Sequence, residues 1–416
     1  MLTQFGRPTC CHRLSAAIVR YAGAMDASSR TAAAIAAATL TNLPFGTIYA
    51  FSVFLRPMED AYGVSRTELS IVFALATITL TLGMNGVPWL LRRYPGLPPA
   101  VLLALTGLAA GSGLMLVAFG QGFEALLLGY GVLFGIGGGA SFIVVQQGLN
   151  QTLARPSGLA NGYVVSLYPI GAMIGSPIFG WALPQFGLRA TLMGLGVVVV
   201  CLIGGAAWLY RCAAIRLQAT QSSTVPADFQ VDQRVFARLF MVFFLAASSG
   251  LLVMSQAAGI LHAYGANAGF AVAATSAITA AIAVARLAGG WLVDRYPVSR
   301  VAAGAHLWAL SGAVLINLWP TVVTAGLALA MIGMGYGFIS GCSAAWMAQY
   351  WPRDLFARLA ARVYIAWCVA AICLPILAAW LFDRTGAYGA AIVVAAAGNL
   401  LGVWTAKGLP IGRQAC

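Results

Sequence analysis

The chain has 416 residues, 61% of them hydrophobic and only 8% charged, with a mean hydropathy of +0.88. A soluble chain carries about 25% charged residues, so a water-soluble globular protein, a disordered chain and a fibrous one are all excluded. The 23 basic residues outnumber the 10 acidic ones, giving a net charge of +13. In an apolar chain this balance points to basic residues retained on one side of a membrane rather than to nucleic acid.

Residues 1–30 carry Arg7, Arg13, Arg20 and Arg30 with a single acid, Asp26. They are expected to be a cytosolic tail or a misassigned start, since Met25 stands just before the first apolar run. From there, stretches of about 20 apolar residues, each enough for one crossing, recur to residue 407. The predicted spans are 32–56, 67–91, 98–120, 124–150, 159–183, 189–210, 236–262, 268–293, 300–319, 322–347, 358–382 and 387–407, numbered 1 to 12 below. The expected architecture is an all-α membrane protein with twelve transmembrane helices. Two six-helix bundles, 31–210 and 235–407, flank a central cytoplasmic loop at 211–234, and 408–416 form a C-terminal tail.

With the N-terminus inside, the inner segments hold 18 basic residues and the outer segments Arg56, Arg66, Arg189 and Arg384, which puts both termini in the cytoplasm. Arginine-rich, lysine-poor usage suggests a bacterial inner membrane. Residues 89–95 (Trp89, Leu90, Leu91, Arg92, Arg93, Tyr94, Pro95) match 291–297 (Trp291, Leu292, Val293, Asp294, Arg295, Tyr296, Pro297) at five of seven positions, 202 residues apart. Two like halves imply a repeat about a pseudo-two-fold axis along the membrane normal.

Arg286 is the residue left over inside a span. It lies roughly 12 Å from the end of span 8 at 1.5 Å per residue, deep in the hydrocarbon layer. A guanidinium there costs a few kcal/mol unless it faces a wet cavity or an anion. No acid in the neighbouring sequence neutralises it. Its planar fork suits a carboxylate, which can accept two charge-assisted hydrogen bonds; capping of backbone carbonyls is the competing use. Polar and aromatic residues of spans 1, 4, 7, 10 and 11 supply candidate lining: Tyr49, Gln146, Gln147, Gln256, Tyr336, Trp346, Tyr364 and Trp367. The glycine run Gly135 to Gly139 follows no strand and is read as close helix packing. Neither a metal cluster, nor a nucleotide motif, nor a nucleophile-plus-base spacing is present, so no cofactor and no enzymatic activity are expected.

Six plus six spans and the Gly290-x-x-x-Asp294-Arg295 element after span 8 resemble the major facilitator superfamily. The closer pieces are Gly46 to Phe54 followed by Pro57, Arg155 to Gly162, Gly250 to Gln256, and Ala285-Arg286. Together they resemble the oxalate:formate antiporter and monocarboxylate transporter branch. The resemblance implies alternating access, with Asp294 and Arg295 as a gating latch and Arg286 holding the substrate carboxylate. Arg92 replaces the usual acid of the first-half latch. Trp367 stands where oxalate:formate antiporters carry a lysine, and Ile282 where animal monocarboxylate transporters carry an aspartate. A single cation favours one carboxylate on an organic group. The expected function is therefore secondary transport of a small organic anion, most readily a monocarboxylate. A dicarboxylate or formate exchanger, a drug or metabolite exporter of the same fold and, more remotely, an anion sensor are the alternatives. A coupling proton, with His262 as one carrier, is left open, as is the choice between symport and antiport.

Overall fold

The computed structural model describes residues 26–153, 158–217, 232–293, 295–351 and 356–410; at 158–161, 344, 345, 347–349 and 356–361 it describes the helical backbone alone. Asp294 and most of the central loop lie outside these residues. Among the described residues every regular element is helical.

Span 1 runs from Ala27 to Tyr62, starting five residues earlier than expected, capped by the Asp26 side chain on the Ser29 N–H. It is α-helical to Gly46, 3-10 from Thr47 to Phe54, and α-helical again from Leu55. Pro44 and Pro57 bracket the tightened stretch, and each removes a helix donor. Gly63, in the left-handed region at φ 64°, ends it. Ser65 and Glu68 then form a reciprocal capping box that starts span 2, Arg66–Arg93.

Spans 3 and 4 are Pro99–Phe119 and Gly122–Thr152, the latter with a π-helical segment Leu127–Phe134. Spans 5 and 6 form one element, Gly158–Cys212, broken at Gly187, where φ is 76°. Spans 7 to 12 follow as Gln233–Ala263, Ala268–Val293, Val298–Leu318, Val322–Tyr350, Phe356–Thr385 and Gly389–Lys407. Among the described residues eleven helices are long and apolar enough to cross a membrane, counting Gly162–Cys212 once. One end of the molecule, the terminal end, holds the start of span 1 beside the end of span 6 and the start of span 7 beside the end of span 12. The other is called the far end here.

Glycines set how closely the helices cross. A Cβ at Gly139 of span 4 would stand 1.7 Å from the Leu80 carbonyl oxygen of span 2. A Cβ at Gly341 of span 10 would stand 2.0 Å from the Arg286 carbonyl oxygen of span 8. The two glycines are 202 residues apart, the same offset as the loop repeat. In both places only a missing side chain lets the backbones touch. Between the two halves, span 5 packs along span 8, span 2 along span 11, and the 3-10 stretch of span 1 against span 7. These pairs border the gap in which the candidate site lies.

Candidate functional site

Arg286 projects from span 8 into the gap between the halves and is 3% exposed. Its Nη1 donates to the Val165 carbonyl of span 5 at 2.9 Å, and its Nη2 donates to the Tyr49 hydroxyl of span 1 at 3.1 Å. Both partners belong to the first half. The rings of Tyr49 and Tyr336 lie 5.3 and 5.4 Å from the guanidinium carbon, one from each half. They stabilise the cation through their π faces without neutralising it. The one ion pair among the described residues, Glu59 with Arg66, is elsewhere. A guanidinium has five donor hydrogens; the Nε of Arg286 has no hydrogen-bond partner. Carbonyl capping, the competing use, thus occupies one corner of the fork and the Tyr49 hydroxyl a second, while Nε is left unbonded.

The guanidinium borders a cavity of about 50 Å³. Tyr49, Tyr336, Tyr364 and Trp367, all named from the sequence, line it together with Arg286. Gly250 of span 7 makes room for one of them: a Cβ there would stand 2.4 Å from the Tyr336 ring. Trp367 is buried, and its indole N–H has no hydrogen-bond partner. Of the lining residues towards the terminal end, Met84, Ser340 and Tyr364 are half-buried and Ser343 is 8% exposed, whereas Tyr336 and Trp367, deeper in, are 3% and 6% exposed. The cavity therefore opens towards the terminal end.

Other residues named from the sequence lie elsewhere. Gln146 and Gln147 are half-buried on span 4 and do not line the cavity. Trp346 is buried outside it. Gln256 is fully buried nearer the far end, bonded to Ser70 and Tyr388. His262 sits at the far end with Nδ1 2.9 Å from the Ala266 carbonyl. Arg295 is exposed and stacks over the Trp291 ring at 4.0 Å; its latch partner Asp294 lies outside the described residues.

Sequence reasoning missed Phe142, Tyr168 and Phe243, which complete the aromatic wall, and Met84, which also lines the cavity. The aromatics look like any apolar residue of a span. Met84 had a signal: it stands 202 residues before Arg286, so the repeat maps one onto the other.

A model of the Major Facilitator Superfamily matches residues 35–297. Rat "Monocarboxylate transporter 13" is 24% identical over 365 residues, covering 86% of this chain and 84% of that protein. The "Oxalate:formate antiporter" of Oxalobacter formigenes is 22% identical over 295 residues, covering 68% of this chain and 66% of that protein. The crystal structure of the nucleoside transporter NupG has a TM-score of 0.71 at 11% identity, covering 91% of this chain and 98% of that one, which shows a shared fold alone. The family match spans more than half of the chain, and the protein belongs to the Major Facilitator Superfamily.

Proposed function

We infer that the protein is a secondary transporter that moves a small organic anion, most readily a monocarboxylate, across a bacterial inner membrane by alternating access. The observation that carries this reading is Arg286, a buried cation in the gap between the halves with no acid paired to it among the described residues and its Nε unbonded. An incoming carboxylate accepts from the free part of the guanidinium and neutralises it, so the charge no longer opposes rocking of the halves across the hydrocarbon layer.

The surroundings favour one carboxylate. Among the described residues no second lysine or arginine lines the cavity, and its walls are mostly aromatic. A space of about 50 Å³ holds on the order of four waters, which suits an acid of a few heavy atoms. The named relatives carry monocarboxylates or oxalate and formate, in keeping with an anionic cargo.

The same reading takes Gly162–Cys212 as two crossings joined at Gly187, giving twelve in all, and takes the paired crossings at Gly139 and Gly341 as the mark of two like bundles. Both termini lie in the cytoplasm by the 18-to-4 charge count, so the cavity faces inward here.

A thermal-shift panel with lactate, pyruvate, formate, oxalate and a larger aromatic acid tests the assignment. A bound cargo raises the midpoint as its concentration passes its dissociation constant. Small monocarboxylates should stabilise the wild type and leave Arg286→Ala unmoved. Equal shifts in the two proteins would remove Arg286 from the binding site.

A further inference from the structure

The far end of the gap is closed by a hydrogen-bonded chain that passes from the first half to the second and back. Arg66, at the start of span 2, is 4% exposed although it reads in the sequence as a loop cation. Glu59, at the end of span 1, accepts from its Nε at 2.6 Å and its Nη2 at 2.7 Å, a two-point fork within the first half. The remaining nitrogen, Nη1, crosses the gap and donates to the Tyr388 hydroxyl at 3.0 Å. Tyr388 donates to Gln256 Oε1 at 2.9 Å, and Gln256 Nε2 returns to the first half by donating to Ser70 Oγ at 2.8 Å.

Two further contacts reinforce the crossing. The Phe382 ring lies 4.4 Å from the Arg66 guanidinium carbon and stacks on Tyr388 with centroids 4.6 Å apart. The Asp383 carboxylate of span 11 accepts from the Thr67 backbone N–H at 2.9 Å and from its hydroxyl, so it caps the first turn of span 2 from the opposite half. Gly259 of span 7 leaves room for all of this: a Cβ there would stand 2.8 Å from Arg66 Nη1 and 3.0 Å from the Tyr388 hydroxyl.

We propose that this chain is the far-side gate of the transport cycle, with Arg66 holding it shut and Gln256 a gate residue rather than a contact to the cargo. Glu59 presets the guanidinium while the gate is open, since both residues sit on the same half. Closing then forms one charged hydrogen bond to Tyr388, the Gln256–Ser70 bond and the Asp383 cap. All three cross the gap, so all three break when the far side opens. The chain is closed here, while the cavity beneath it opens towards the terminal end. The proposal rests on alternating access but not on the identity of the cargo.

The test places spin labels at Asp60→Cys and Ala387→Cys, exposed far-end positions on opposite halves, in a protein whose native cysteines are replaced. Distances are measured in proteoliposomes without cargo. The parent should show mainly the short, closed distance. Arg66→Ala should raise the ratio of long to short distances about tenfold or more, because a hydrogen bond to a buried charge is lost. Gly259→Leu, which wedges the chain apart without removing a polar group, should do the same, and Tyr388→Phe should give a smaller shift. If the folded variants keep the parental distance distribution, the chain is a structural strut and the gate is refuted, even where the variants melt earlier. Should Arg66→Ala fail to fold, Gly259→Leu and Tyr388→Phe decide. An unchanged distribution would leave the role of Arg286 untouched.

Discussion

Replacing Gly341 with alanine should disable the carrier without touching any polar group. The new Cβ would stand 2.0 Å from the Arg286 carbonyl oxygen and 2.9 Å from the Arg286 Cα. Those are backbone atoms that no rotamer change can move. Relief to an ordinary 3.4 Å contact requires spans 8 and 10 to part by about 1.4 Å. Overpacking of this kind costs about 1–3 kcal/mol. The larger effect is on position, because the guanidinium is anchored 2.9 and 3.1 Å from two groups of the opposite half. A placement error of about 1 Å in a working site costs on the order of a hundredfold. Gly341→Ala should therefore express as a monodisperse protein yet take up anion at least about tenfold more slowly in proteoliposomes. Gly304→Ala is the control, since a Cβ there meets nothing within 4 Å. Uptake by Gly341→Ala equal to that of the control would refute the idea that this crossing positions Arg286.

Two other substitutions probe the cavity. Tyr49→Phe keeps the ring over the guanidinium but deletes the acceptor of Nη2, leaving a buried charged donor unpaired in the empty carrier at a cost of about 1–3 kcal/mol. Its empty-state melting point should fall, and its anion-induced thermal shift should exceed that of the wild type, because the cargo supplies the missing acceptor. Equal shifts would contradict that balance. Trp367→Lys adds a second cation to the cavity lining and should turn preference from monocarboxylates towards oxalate in competition uptake. An unchanged preference would show that charge count in the cavity does not select the cargo.

Much of the fold was legible because burial in lipid leaves a one-dimensional trace: apolar runs mark helices, and arginines mark their ends. The start and end of span 8, 268–293, agree with the helix Ala268–Val293. Arg286 stood out because a charge at that depth has few uses. The bounds of span 1 were less legible, since Tyr62 ends a helix whose last turns are polar. The 3-10 stretch that presents Tyr49 depends on two prolines whose joint effect no periodicity reveals. Gln146 and Gln256 show the limit for polar residues within spans. Both looked like cargo contacts, yet Gln256 is occupied by Ser70, 186 residues away in sequence, and by Tyr388. The burial of Arg66 is hidden in the sequence for the same reason. A cation at a helix start looks solvated until the chain brings Tyr388 and Phe382 over it.

If one guanidinium carries the anion across, its loss must stop uptake. The most direct measurement is initial uptake of a labelled monocarboxylate into proteoliposomes by wild type, Arg286→Ala and Arg286→Lys at matched protein incorporation. The wild type should take up the label, Arg286→Ala should show none above empty vesicles, and Arg286→Lys, which keeps the charge but not the fork, should lose most of the uptake. Wild-type uptake rates in both variants would contradict that role for Arg286.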